Sequence, residues 1–190
     1  LARKYWVTVT NPPYAGTSNL SARVNDFVKK NYPDSKNDLS TVFMERATDF
    51  CMPDGYWAMI NIPVWMFLSG FEKLRGKLLM YQTIVNMVHP GRGIFGSDFG
   101  TTTFVIAKRR AEEYRGKYYR LFNKQGEVES IKERENAFLL GRGQYSTNQN
   151  IFSKIPGSPV AYWASKAFAD VFSHQEMIGT YCFPKQGLHT

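Results

Sequence analysis

Disulfide and metal chemistry have little to work with in this chain. Its 190 residues include only two cysteines, Cys51 and Cys182, and three histidines, His89, His174 and His189. The cysteines are far apart and lack metal-ligand spacing, so they read as two free thiols of a cytosolic protein rather than a disulfide. The scattered histidines make neither a zinc cluster nor a nucleophilic triad, and read as ordinary surface or half-buried side chains. Long apolar runs are also missing. The longest, Ile60 to Leu68, is interrupted by Asn61 and Pro63 and is too short to cross a bilayer. There is no signal-peptide pattern, no internal repeat and no long run of lysine and arginine. With Leu1 in place of a methionine and an abrupt stop after Gly187-Leu188-His189-Thr190, the chain is expected to be a piece cut from a longer protein.

What is present is a core and a charge. A hydrophobic content of 43% suffices for a folded domain and excludes a disordered chain. The net charge of +8 and the pI near 9.5 favour polyanionic partners, nucleic acid first, although the positive charge is spread along the chain.

The most informative stretch is Thr10-Asn11-Pro12-Pro13-Tyr14-Ala15-Gly16. A β-forming run, Lys4 to Thr10, leads into it. Two prolines then forbid both a continuing strand and an immediate helix. The chain therefore stops, stiffens, and presents an amide (Asn11) and an aromatic ring (Tyr14) at a strand's carboxyl end, where open α/β sheets bind their ligands. Such a loop suits a flat substrate that needs one polar contact and one stacking face. The competing reading is a plain Pro-Pro turn with a buried tyrosine.

Downstream, Leu20, Val24, Phe27 and Val28 recur at helical spacing, and this helix ends near Asn31-Tyr32-Pro33. Asp38 is placed to cap a second helix whose apolar stripe is Leu39, Val42, Phe43, Ala47, Phe50 and Cys51. Pro53-Asp54-Gly55 reads as a turn, and Tyr56 to Ile62 as a strand covered on both faces. Ser69 and Glu72 have capping-box spacing ahead of a helix marked by Phe71, Leu74, Leu78 and Leu79. Gln82 to Val88 is a strand, Pro90 to Gly100 a glycine-rich loop, and Thr101 to Ala107 a β-branched strand. The order describes half of a doubly wound α/β sheet. It ends in an antiparallel pair, since no helix fits between the last two strands.

Residues 108 to 142 carry ten basic and six acidic side chains, with one strand expected over Lys117 to Phe122 and a polar helix over Ser130 to Leu140. Gly141 to Ser158 reads as a linker. Ser158 and Pro159 then look like the N-cap and first turn of a helix carrying Val160, Trp163, Ala164, Ala167, Phe168, Val171 and Phe172.

The segments Asn11-Pro12-Pro13-Tyr14, Lys36-Asn37-Asp38-Leu39 and Pro53-Asp54-Gly55, with Phe95 in a glycine-rich loop before Thr101-Thr102-Thr103-Phe104-Val105-Ile106, occur in this order. So arranged, the chain resembles the catalytic half of the N6-adenine-specific DNA methyltransferases. The resemblance is nearest to large restriction-modification methyltransferases and, among them, to the PglX-type enzymes of BREX phage-defence systems. Phe152-Ser153-Lys154-Ile155-Pro156-Gly157-Ser158-Pro159 with Tyr162-Trp163, and the terminal Gly187-Leu188 with Thr190, are similar to that group as well. It implies the C-terminal half of a Rossmann-like methyltransferase sheet, mixed and with an antiparallel last strand. A linker and the start of a target-recognition region would follow. The implied division is 1–110 for the partial catalytic domain, 111–158 for an extension and linker, and 159–190 for the entry to target recognition.

By the same resemblance, the Asn11 side chain and the Pro12 carbonyl accept hydrogen bonds from an adenine amino group, with Pro13 completing the motif. Tyr14 stacks on a flipped-out base of double-stranded DNA. Phe95 (with Phe99 as a register alternative) supplies a second aromatic contact. Phe43 borders the adenine ring of the cofactor, S-adenosyl-L-methionine. The family's main cofactor motif, a glycine-rich turn followed by an acidic residue, lies upstream of an Asn-Pro-Pro-Tyr loop in this arrangement. The chain by itself is accordingly expected to bind cofactor weakly and to be inactive. Gly91-Arg92-Gly93 and Gly141-Arg142-Gly143 do not replace that motif; they read as loops whose arginines can touch phosphate. A prokaryotic cytoplasmic setting, restriction or phage-defence partner proteins, and no resident metal complete the expectation. The alternatives are an RNA-base or protein-glutamine methyltransferase with the same loop, or a non-catalytic DNA-binding module. The more than eighty residues after the last strand favour DNA over the former.

Overall fold

The computed structural model describes residues 3–94, 100–123, 130–174, 176 and 180–182. Its strands are β1 (Tyr5–Thr10), β2 (Cys51–Asn61), β3 (Thr83–Gly91), β4 (Thr101–Ala107), β5 (Arg115–Arg120) and β6 (Gln144–Asn148). Its helices are α1 (Ala22–Asn31), α2 (Leu39–Phe50), α3 (Glu72–Tyr81), α4 (Ile131–Leu139) and α5 (Lys166–His174). The strands form one mixed sheet in the order β1-β2-β4-β3-β5-β6. Strands β1, β2, β3 and β5 run parallel, while β4 and β6 run against them. The expected antiparallel pairing of β3 with β4 is present. β4 also slots between β2 and β3, so its β-branched side chains pair on both sides.

Local signals set several boundaries. Ser21 caps α1 by accepting from the Val24 amide, and Asp38 caps α2 by accepting from the Ser40 amide at 2.8 Å. Ser130 and Glu133 form a reciprocal capping box on α4. Each cap satisfies amides that the first helical turn leaves without a partner, worth about 1 kcal/mol apiece. The main core lies under the sheet, where Trp57, Trp65 and Phe104 meet edge to face at 5.2–5.7 Å. The Trp57 indole donates to Gln82 at 2.7 Å, so its one polar atom is satisfied in the interior.

Five sequence expectations are corrected. Pro53-Asp54-Gly55 is not a turn between elements but a bulge inside β2, with Asp54 at φ 62° and the register against β1 shifting between Tyr5 and Val7. Gly55 is required there, because a Cβ would stand 2.7 Å from the Trp6 carbonyl oxygen. β2 is not covered on both faces: Trp57 and Met59 are buried while Tyr56, Ala58 and Ile60 on the other face are half-buried. Ser69 and Glu72 make no capping box. The chain enters α3 through a 3-10 turn, Ser69–Phe71, that buries the Phe71 ring.

The stretch read as a linker, Gly141 to Ser158, contains β6 and a 3-10 segment, Gln149–Lys154, whose Phe152 is fully buried in the main core. The helix expected from Ser158-Pro159 begins only at Lys166. Ser158 adopts φ 48°, the Val160 amide bonds the Met66 carbonyl at 3.0 Å, and Val160 and Tyr162 enter the core from an irregular segment. A helix starting at 159 would have to give up both burials.

Candidate nucleic-acid interface at the carboxyl edge of the sheet

Asn11 to Tyr14 leave β1 at the edge where all four parallel strands end. Pro12 is buried and anchors the loop, while Asn11, Pro13 and Tyr14 are exposed. The Tyr14 hydroxyl donates to Asn11 Oδ1 at 3.2 Å, which orients the amide and ties it to the ring. A carbonyl oxygen has two lone pairs, so Asn11 keeps one acceptor position open. Burial raises the Tyr14 pKa, so the phenol remains a donor. At 37% exposed, the Tyr14 ring is not the core residue of the Pro-Pro-turn reading.

The loop is tied back at its far end. The Leu39 amide bonds the Ala15 carbonyl at 2.8 Å, and Gly16 forms an antiparallel bridge with Asp38. The motif and the start of α2, separate in sequence, thus share one wall. Asp38 Oδ1 is taken up by the Ser40 amide and hydroxyl, so this carboxylate holds the helix start. Phe43 lies further along α2, half-buried against the main core. Phe95 and Phe99 lie outside the described residues. The base of their loop is defined where Gly91 of β3 pairs with Thr101 of β4, three and two strand positions from β1.

Sequence reasoning missed Asn61, which it treated as a break in an apolar run. It ends β2 fully buried, donates to the Ser40 carbonyl at 3.3 Å and accepts from the Ile62 amide at 2.7 Å, and its own carbonyl receives the Thr102 hydroxyl. It thereby joins the ends of β2, α2 and β4 beside the motif loop. The signal was an amide set between the apolar stretch Trp57-Ala58-Met59-Ile60 and Ile62. His89, expected at or near the surface, is 7% exposed at the end of β3, with Nδ1 3.1 Å from the Tyr162 hydroxyl. Burial, with Arg120 nearby, lowers its pKa to about 4, so it is neutral at physiological pH.

A second feature of this edge was also missed. A cleft of about 590 Å³ opens between the end of β5 and α4, lined by Arg120, Asn123, Glu133, Asn136 and Arg142 among others. No group of His, Cys, Asp or Glu suited to a metal occurs among the described residues, and no helix there is long and apolar enough to cross a membrane.

This mixed sheet, with the antiparallel strand β4 inserted between the parallel strands β2 and β3, has the α/β fold of the class I methyltransferases. A methyltransferase subunit of a type I restriction-modification system from Streptococcus thermophilus shares it at a TM-score of 0.52 and 14% identity, over 80% of this chain and 36% of that one. The chain belongs to the Eco57I restriction-modification methylase family, whose model matches residues 1–95. It is 39% identical over 186 residues to the adenine-specific methyltransferase BrxX of Escherichia coli O9:H4 (strain HS). It is 41% identical over 176 residues to the adenine-specific methyltransferase PglX of Lacticaseibacillus casei (strain Zhang). These alignments cover 95% and 87% of this chain but only 15% and 14% of the relatives' own lengths.

Proposed function

We propose that this chain forms the substrate-facing wall of an S-adenosylmethionine-dependent enzyme that methylates the N6 amino group of adenine in DNA, acting in restriction-modification or phage defence. The observation that carries the reading is the pairing of the Asn11 amide with the exposed Tyr14 ring on a proline-stiffened loop at the carboxyl edge.

The chemistry suits these groups. An exocyclic adenine amine is a poor nucleophile because its lone pair is delocalised into the ring. Asn11 Oδ1 and the Pro12 carbonyl, as neutral acceptors for its two N–H bonds, favour the tetrahedral amine as positive charge develops on it. No strong base is required. A base inside a duplex is out of reach, so it is flipped out at a cost of a few kcal/mol. Stacking on Tyr14, with Phe95 as its expected partner, offsets roughly 1–3 kcal/mol per aromatic contact. S-adenosylmethionine supplies the methyl group when bound. Phe43 keeps part of its ring exposed, which suits one apolar wall of a pocket for the cofactor's adenine. Asp38, committed to Ser40, serves there as a brace. DNA and defence-system proteins are the partners this reading requires, in a prokaryotic cytoplasm, and the residues beyond the sheet lead towards target recognition.

The test is Asn11→Ala in the full-length protein, with transfer of a labelled methyl group to DNA and sequencing of methylated adenines. Loss of about 100-fold or more in rate, with stability within about 0.5 kcal/mol of wild type, is expected for an exposed side chain that stabilises charge only in the transition state. Normal methylation by this variant would sink the assignment.

A further inference from the structure

The cleft beyond β5 is lined by two arginines that form no ion pair among the described residues. Arg120 is held between two rings, its guanidinium carbon 4.7 Å from the Phe122 centroid and 5.4 Å from that of Trp163. Among the described residues its guanidinium makes one hydrogen bond, 3.4 Å to the Asn123 carbonyl, and its Nε has no partner. Arg142 faces the same cleft and is exposed. Elsewhere on α4, Arg134 is 2% exposed; Nη1 donates to the Arg92 carbonyl, while Nε and Nη2 have no partner. Among the described residues the one carboxylate lining the cleft, Glu133, accepts from the Ser130 amide and hydroxyl and is held by the helix cap. The ion pairs among the described residues use Arg46, Lys77 and Lys154, none of them here. The result is two arginines facing one cleft, one of them with its guanidinium held against aromatic rings, on a chain whose charge is otherwise diffuse.

Position supplies the ligand class. β5 lies four strand positions from β1, about 19 Å at the usual 4.8 Å spacing, and both strands end at the same edge. At 3.4 Å per step, 19 Å spans about five to six nucleotides of duplex.

We propose that Arg120 and Arg142 bind a backbone phosphate of the duplex about five to six steps from the flipped adenine, fixing the register of DNA along the sheet edge. This rests on the reading of the chain as a DNA-modifying protein. Aromatic stacking holds the Arg120 fork in place, and among the described residues no ion pair of Arg120 has to break when phosphate arrives.

The test uses the full-length protein with Arg120→Gln, Arg142→Gln and the double substitution, each checked for an unchanged melting temperature. Duplex affinity is followed by fluorescence anisotropy between 50 and 200 mM salt. Each phosphate contact contributes about 0.9 to the slope of log affinity against log salt. Because the two arginines share one phosphate, the double variant should lose about 0.9 from that slope, so over this fourfold salt range the wild type should weaken about 3.5-fold more than the variant. A single uncharged methylphosphonate placed five to six steps from the target adenine should weaken wild-type binding and leave the double variant unaffected. If Arg120→Gln unfolds the protein, Arg142→Gln alone should still lower the slope, by up to about 0.9. Duplex binding with an unaltered slope in the variants overturns this site alone. Absence of duplex binding by the wild type overturns the site and the DNA reading together. An arginine-dependent slope on single-stranded RNA but not on duplex DNA overturns the choice of nucleic acid.

Discussion

Replacing Tyr14 separates a base-stacking ring from a packing residue, because the two roles predict different losses. Tyr14 is 37% exposed and makes one exposed hydrogen bond, to Asn11. Full burial of a large apolar side chain is worth about 1.5–3 kcal/mol, so the buried share of this ring stabilises the fold by about 1–2 kcal/mol. Truncating an aromatic core residue would instead cost about 3–5 kcal/mol. Stacking on a flipped base contributes about 1–3 kcal/mol to binding, equivalent to a factor of about 5 to 150. Tyr14→Ala is therefore expected to lower kcat/KM for methylation of duplex DNA by about 5- to 150-fold, with a stability loss of no more than about 2 kcal/mol. Tyr14→Phe keeps the ring and removes only the hydroxyl donor; it should stay within about fivefold of wild type, given the modest net worth of an exposed hydrogen bond. The measurements are urea unfolding and labelled methyl transfer by the full-length protein. Near-wild-type methylation by Tyr14→Ala refutes stacking. Equal losses in the Phe and Ala variants move the role from the ring to the hydroxyl.

Three further outcomes concern the scaffold. Arg75 is 1% exposed, and its guanidinium donates to the Trp65, Leu68 and Gly157 carbonyls. Arg75→Met leaves all three without that donor and should cost about 3–5 kcal/mol in urea unfolding. Lysine should recover less than half of this, since one ammonium does not reproduce the planar fork. Gln149 donates to the Leu79 and Gln82 carbonyls and accepts from the Ile84 amide at 2.8–3.0 Å. Gln149→Leu should cost about 2–4 kcal/mol and speed hydrogen exchange at the Ile84 amide. His89 titrates near 4 in the fold, below its ordinary value of 6.5, so on acidification the unfolded chain takes up the proton first. Stability should fall by about 3 kcal/mol between pH 6.5 and pH 4 through this group, and His89→Gln should flatten that part of the curve; an unchanged curve would show that burial of His89 is not responsible.

Much of the first half of the chain was legible because its signals are local. Two prolines after a β-branched run end a strand wherever they occur, and Asp38 and Ser130 cap helices through amides within three residues of themselves. The second half was less legible. Gln144–Asn148 has no apolar alternation, and it is a strand because β5 offers it a ladder. Val160 and Tyr162 sit at helical spacing from later apolar residues, yet the core claims them first; Phe168 and Val171, which do lie on a helix, are more than half exposed. Of the expected site, Asn11 to Tyr14 stand together at the sheet edge, Phe43 is set apart on α2, and Phe95 lies outside the described residues.

The amino-acid sequence alone determined the stiff Asn-Pro-Pro-Tyr loop, the caps and the basic charge, since each depends on covalent geometry or on bonds spanning a few residues. Tertiary structure decided which of these features meet. Leu39 reaches Ala15, β4 enters between β2 and β3, and Arg120 and Arg142 come to line one cleft. Those pairings follow from burying apolar faces while leaving few backbone groups without a partner, a condition set by the whole sheet and contained in no single window of the chain.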